Sequence, residues 1–302
     1  MGPTGLEVPV FGARAAAHAV KAGASRIELN AAGSYPAGGL TPSVEDLRSI
    51  VNLDVPLRVM IRPRGPPSVP SELAPAPQSQ TSAQARDFIY SDQEIEQMHD
   101  DILALKDSGL LKVDRGDGFV FGVLTEQVST TSQSLLSGES NALTSAPGTG
   151  IGAVGVGCEV DIARCTRLIE AVRPFKVVFH RAFDEIVSSG DGLSGDKRCL
   201  PWQKGLEDLE YCGFDGILTS GGLGSAVQNT ETLAEILDEA AKKGIEIIVG
   251  GGVRSVNIQD LLKRLHLSER KQPVLMHSSC LVAGEMEHVN PLEVEAIVSQ
   301  LR

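Results

Sequence analysis

The sequence predicts an α/β fold, a single (β/α)8 barrel, and three observations indicate it. Eight short apolar runs of strand type alternate with helical patterns along the 302-residue chain. Polar residues follow most of these runs, as they do at the mouth of a barrel, where the functional loops follow the strand ends. The segments that interrupt the alternation are too poor in apolar residues to fold alone. A doubly wound open sheet is the structural alternative.

The predicted strands are short runs rich in branched apolar residues, a composition that favours strands. Pro9 weakens the first of them because proline cannot donate a ladder hydrogen bond. In chain order the predicted strands are 6–10, 26–29, 57–61, 119–123, 176–179, 216–219, 246–249 and 274–277.

The predicted helices follow these strands, and the one at 91–107 has the strongest signals. Ser91 and Glu94 have the spacing of a capping box, an apolar stripe at helical spacing follows, and Gly109 marks the end. The other predicted helices are 12–22, 43–51, 159–172, 203–212, 231–243, 255–265 and 291–301.

Three segments do not fit the alternation: 66–86, 127–157 and 188–200. They are rich in Pro, Ser, Thr, Gly or other polar residues. We interpret them as mobile loop insertions within one barrel domain that spans residues 1–302.

Composition limits the function classes. The formal net charge is −12, which argues against a nucleic acid or an anionic membrane as the main partner. No stretch approaches the ~20 apolar residues that span a bilayer. The five cysteines are odd in number and form no C-x-x-C pair, which favours a reducing compartment. We therefore expect a cytoplasmic protein.

The stretch VVFHRAFDEI, at 177–186, ends a buried-looking strand in charged residues. His180, beside Asp184 and Glu28, is a candidate general base oriented by a carboxylate, and these three are the candidate catalytic residues. The alternative is that the polar side chains at the strand ends have only a structural role. They would then fill the barrel interior as ion pairs, such as those of Glu7 and Glu28 with Arg62.

A second group of polar and glycine residues at the strand ends suggests a ligand site. The glycines of VGGGVRS, at 249–255, allow backbone amides to approach a phosphate, although they also suit a tight turn. Guanidinium groups bind carboxylates or phosphates in a bidentate manner. The candidate ligand-binding residues are Glu7, Arg62, Arg64, Arg181, Ser220, Gly251, Gly252 and Arg254.

His277 and Cys280 are candidate metal ligands in HSSC, at 277–280. Imidazole and thiolate are soft enough for Cu(I) or zinc. Two ligands do not complete a site, and no second Cys/His pair follows. Cys165 lies on the apolar stripe of a predicted helix, Cys212 ends another predicted helix before Gly213, and both are expected in the core.

Taken together, these motifs resemble the CutC family of copper homeostasis proteins. The pieces that carry the resemblance occur in the family's order, and among them are VMIRPRG (59–65), DFIYSDQEIEQMHDDI (87–102), VVFHRAFD (177–184) and VGGGVRSVNI (249–258). The resemblance implies a cytoplasmic barrel linked to copper binding and tolerance, commonly a homodimer. The matching mouth positions are Glu7, Glu28, Arg62, His180, Arg181, Asp184 and His277.

This chain departs from that family at two positions. Many members carry cysteine after the glutamates of the first two strands, whereas Pro9 and Asn30 stand here. Neither residue can supply a thiolate for copper. Three hypotheses follow: a copper-binding homeostasis protein, a lyase, isomerase or hydrolase acting on a small anionic metabolite, and a non-catalytic scaffold.

Overall fold

Eight parallel strands close into a barrel in the computed structural model, which describes residues 5–67, 86–127, 157–189, 200–282, 284–285 and 287–302. The barrel strands are β1 (Gly5–Val10), β2 (Arg26–Leu29), β3 (Leu57–Met60), β4 (Gly118–Phe121), β7 (Lys176–Phe179), β8 (Gly216–Thr219), β9 (Glu246–Val249) and β10 (Val274–His277). The order around the barrel is β1-β10-β9-β8-β7-β4-β3-β2. The (β/α)8 prediction is confirmed, and the open sheet is excluded.

Helices lie between the strands and cover the outside of the barrel. They are α1 (Ala13–Lys21), α2 (Val44–Ile50), α3 (Asp92–Asp107), α4 (Ile162–Val172), α5 (Ala182–Ser188), α6 (Pro201–Cys212), α7 (Thr230–Lys243), α8 (Ile258–Arg264) and α9 (Pro291–Leu301). The capping box of α3 is confirmed: the Ser91 hydroxyl accepts from the Glu94 amide, and the Glu94 carboxylate accepts from the Ser91 amide. The sequence did not predict α5, which is only seven residues long.

Alternate strand residues face opposite sides of the barrel wall. One set packs against the helices in the large apolar core, as Val8, Ile27 and Phe179 do. The other set points inward and forms a small apolar layer across the middle of the barrel, made by Met60, Val120, Val178, Leu218 and Ile248. The inward positions above this layer are free to carry polar groups.

A two-stranded antiparallel sheet stands apart from the barrel, formed by β5 (Leu124–Gln127) and β6 (Gly157–Val160). The sequence analysis missed it because these strands have no continuous apolar run. Gln127 and Gly157 are paired strand residues, so the predicted insertion at 127–157 was one residue too long at each end. Asp161 then caps α4, which explains why that helix begins later than predicted.

The predicted insertions fall mostly at 68–85, 128–156 and 190–199, outside the described residues. Their predicted mobility therefore stays a prediction. Within the described part of the chain, no helix is long and apolar enough to cross a bilayer.

Candidate functional site

Three neighbouring strands bring two carboxylates and an imidazole together inside the barrel. In the register of β1 with β10, Glu7 lies opposite His277, and in that of β1 with β2, Pro9 lies opposite Glu28. Because the inward side alternates along each strand, these three side chains converge on the barrel axis. One ligand atom from each of them lies within 4.8 Å of the others.

The imidazole of His277 lies between the two carboxylates. Its Nε2 is 3.5 Å from Glu28 Oε2 and 3.8 Å from Glu7 Oε1. Burial opposes a charge on His277, but the carboxylates of Glu28 and Glu7 outweigh it and raise the pKa of the imidazole. Burial likewise acts to raise the pKa of Glu28, whereas His277 and Asn30 lower it. The two carboxylates therefore favour the protonated form of the His277 imidazole over the neutral form.

Neighbouring side chains fix the two carboxylates. Arg26 is buried and donates from Nε to Glu7, and its Nη1 donates to Glu246 at 2.8 Å. Asn30 donates from Nδ2 to Glu28 Oε1 at 3.1 Å. Glu28 Oε2 has no hydrogen-bond partner among the described residues. Asn30 thus orients one carboxylate of the cluster.

A cavity of about 340 Å³ opens above this cluster at the carboxyl ends of the strands. Its described lining includes five of the predicted site residues: Glu28, Arg62, His180, Arg181 and His277. Apolar walls come from Met60, Phe88 and Leu218. The cavity lies at the end of the barrel where such folds carry their sites.

His180 enters the cavity as a neutral imidazole. Burial, together with the nearby Arg62 guanidinium, lowers the pKa of His180 to about 3. Its Nδ1 accepts from the Ala182 amide at 3.3 Å, and the ring lies 4.8 Å from that of Phe88. We expected Asp184 to orient this histidine, but the structure gives Asp184 other partners.

Asp184 is a hub for the loop after β8 rather than a partner of His180. Its carboxylate accepts from the Thr219 hydroxyl at 2.6 Å and from the Ser220 hydroxyl and amide at 2.9 Å. Arg181 donates from Nε to the same carboxylate at 2.7 Å and from Nη2 to Ser220 at 2.7 Å. The network fixes the Arg181 guanidinium, which lines the cavity.

Arg62 lines the cavity, whereas Arg64 lies outside its described lining. Arg62 donates from Nη2 to both carboxylate oxygens of Asp87, at 2.8 and 2.9 Å, and from Nη1 to the carbonyls of Ala37 and Gly39. Arg64 pairs with Glu94 on α3. The sequence suggested ion pairs of Arg62 with Glu7 or Glu28. In the structure, Arg62 pairs with Asp87 instead. Sequence reasoning assigned no role to Asp87, although it begins the quoted motif DFIYSD.

The glycine-rich loop after β9 does not belong to the described lining of the cavity. Gly251 and Gly252 have positive φ angles, as a tight turn requires, and neither lines the cavity in the described part of the chain. Arg254 donates to the hydroxyls of Ser278 and Ser279 at 3.0 and 3.2 Å. The four predicted arginines therefore do not all reach the cavity: Arg62 and Arg181 belong to its described lining, whereas Arg64 and Arg254 do not.

Cys280 is not part of the cluster around His277. It is buried in the apolar layer outside the strands, and burial raises the pKa of its thiol to about 11. Cys165 and Cys212 are also buried in that layer, as expected, and so is Cys158. These four cysteines therefore belong to the apolar core and lie outside the barrel mouth.

Fold and geometry together define a class: a (β/α)8 barrel with a polar mouth cavity above a buried acid–imidazole cluster. A model of the CutC family matches residues 4–69 and 139–272. The copper homeostasis protein cutC homologs of Mus musculus and Homo sapiens are both 30% identical to this chain over 259 residues. These alignments cover 85% of this chain, 69% of the mouse protein and 68% of the human protein. The chain belongs to the CutC family.

A solved structure agrees with the fold. The crystal structure of a copper homeostasis protein CutC from Streptococcus agalactiae superposes with a TM-score of 0.60 at 22% sequence identity. The superposition covers 92% of this chain and 99% of the bacterial one. At this identity the likeness supports the barrel alone.

Proposed function

We propose that this chain serves copper homeostasis by binding a metal ion at Glu7, Glu28 and His277. The carrying observation is that one ligand atom from each of these buried or partly buried side chains lies within 4.8 Å of the others. Relatives named as copper homeostasis proteins support copper as the metal to test first.

The donor set favours a divalent ion. Two carboxylates and one imidazole are hard or borderline ligands and suit Cu²⁺ or Zn²⁺ better than Cu⁺, which prefers sulfur. The Cu(I) expectation rested on Cys280 as the soft partner of His277. Because Cys280 is buried in the layer outside the strands, His277 would have to bind Cu⁺ without it. The proposed copper form is accordingly Cu²⁺.

Metal competition against a calibrated chelator tests this proposal. Wild type, His277→Ala, Glu28→Gln and Cys280→Ala are titrated with Cu²⁺, with Zn²⁺ and, under anaerobic reducing conditions, with Cu⁺. We expect one-to-one Cu²⁺ binding that weakens at least about tenfold in His277→Ala and Glu28→Gln, because each loses a ligand. Cys280→Ala is the matched control and is expected to bind as wild type does.

Two results would contradict the proposal. Unchanged Cu²⁺ affinity in both His277→Ala and Glu28→Gln would remove the cluster as the site. Tight Cu⁺ binding that is lost in Cys280→Ala would restore the sulfur ligand and the monovalent ion. Circular dichroism of each variant shows whether a loss of binding reflects a loss of fold.

A further inference from the structure

We propose that the mouth cavity binds a small acid, whose carboxylate or phosphate group lies between Arg181 and His180. This ligand is separate from the proposed metal ion, and its binding does not depend on the metal. The cavity volume of about 340 Å³ lies at the small end of the range of about 300–1,000 Å³ for ligand pockets. Its size therefore suits a small metabolite.

His180 supplies a buried donor that needs an acceptor. Since Nδ1 accepts from the Ala182 amide, the proton of the neutral ring is on Nε2. That Nε2 is buried and has no hydrogen-bond partner among the described residues. Leaving a buried donor unpaired costs about 1–3 kcal/mol. An acceptor on a ligand in the cavity would recover this cost.

Arg181 supplies a cation that is already fixed in place. Asp184 and Ser220 hold its Nε and Nη2, whereas its Nη1 has no hydrogen bond within the described part of the chain. Its side chain is 42% exposed, so a ligand can reach it. The Asp184 charge is shared with donors from Thr219 and Ser220, which leaves the Arg181 charge only partly compensated.

The chemistry of these groups selects an anion. His180 offers an N–H, and Arg181 offers N–H groups with a positive charge; both complement an oxyanion. The apolar walls of Met60, Phe88 and Leu218 limit competition from water, which strengthens such contacts. Arg62 differs from Arg181 because its Nη2 already donates to both oxygens of Asp87 and its Nη1 donates to backbone carbonyls. Arg181 is thus the residue to test.

Isothermal titration of the full chain, stripped of metal on a chelating resin, tests this inference. Inorganic phosphate and malonate are the two anionic probes, glycerol is the uncharged control, and ionic strength is held constant. Wild type is compared with Arg181→Gln and with Arg48→Gln, a control at an exposed arginine of α2. We expect Arg181→Gln to bind about tenfold more weakly or worse, because a hydrogen bond to a charged group is lost. Arg48→Gln is expected to bind as wild type does.

A second readout needs no variant. In wild type, nitrogen NMR of the imidazoles should show the Nε2–H form of His180 and a shift of that signal when the anion is added. Binding of phosphate alone or of malonate alone would assign the ligand to phosphates or to carboxylic acids. No binding of either probe to wild type, or equal binding to wild type and Arg181→Gln, would overturn the inference. Because the protein is metal-free, failure of the metal proposal leaves this result unaffected.

Discussion

Glu185 is a buried carboxyl group close to two other acids. It lies in the first turn of α5, next to Asp184, and also senses Asp87. Burial is the main cause that raises its pKa, to about 7, with Asp184 and Asp87 adding to the effect and Arg181 opposing it. This residue therefore keeps its proton at pH values where an ordinary glutamate has lost it.

The raised pKa predicts that Glu185 makes the protein less stable as pH rises. Between its ordinary value of 4.5 and about 7, the unfolded chain releases this proton while the folded protein retains it. The folded state therefore loses relative stability through that window and carries the full penalty above it. At about pH 8, we expect the free energy of unfolding of Glu185→Gln to exceed that of wild type by about 1–3 kcal/mol. At about pH 5, we expect the two free energies of unfolding to be similar.

Urea unfolding of the two proteins at both pH values measures this difference. Glu295→Gln, at an exposed position of α9, is the matched control and should change little at either pH. A Glu185→Gln gain that is equal at both pH values would point to packing rather than ionisation as its source.

The side chains of the mouth illustrate what sequence can predict at the residue scale. Inward alternation at strand ends is a local property, so His180, Glu28 and His277 could be assigned to the mouth from their positions alone. Which partner each group takes depends on loops that are distant in sequence. Asp184 bonds to the loop after β8, and Arg62 bonds to Asp87, because those loops fold over the strand ends.

At the scale of elements, β4 and β7 approach each other closely at Gly118. A Cβ atom on Gly118 would lie 2.3 Å from the carbonyl oxygen of Lys176 in β7, closer than any real contact. The two strands therefore need glycine at this point to keep their register.

Gly118→Ala is expected to destabilise the protein by about 1–3 kcal/mol, because the backbone must shift to admit the methyl group. Gly216→Ala in β8 is the comparison, since its nearest atom would be at 3.2 Å. At Gly216 the added methyl group causes a milder steric clash, which the reduced entropy of the unfolded chain offsets. We therefore expect little change in the stability of Gly216→Ala. Unfolding midpoints in urea measure both. Equal destabilisation by the two substitutions would contradict the role of close strand approach.

The elements that sequence predicted are those with a strong local pattern. All eight barrel strands and the long α3 have apolar periodicity of their own. By contrast, β5, β6 and α5 are short and mixed in polarity, so their formation depends on tertiary contacts. The predicted helix at 255–265 starts at Ile258, since Asn257 first accepts from the Arg254 amide in a turn.

At the scale of the whole molecule, the two residues that flank the segment 128–156 are neighbours in the described structure. Gln127 and Gly157 are directly paired across β5 and β6. We predict that replacing 128–156 by Asn-Gly preserves the barrel, because a two-residue turn can join paired antiparallel strands. Circular dichroism and the thermal midpoint of the shortened protein measure this, with the anion titration as a check on the mouth. Loss of the cooperative transition would show that the segment stabilises the fold.

The predicted homodimer, the cytoplasmic location and the single-domain organisation stay predictions at this scale. Light scattering on the purified full chain measures the molecular mass in solution, which tests the predicted homodimer.

The buried sulfur atoms bear on how the molecule tolerates oxidants. Burial raises the pKa of the thiols of Cys158, Cys165, Cys212 and Cys280, to about 12 in the first case. Peroxides and alkylating reagents react with the thiolate, which is scarce at these four positions in neutral solution. While the fold is intact, these four side chains are therefore expected to react slowly with peroxides and alkylating reagents.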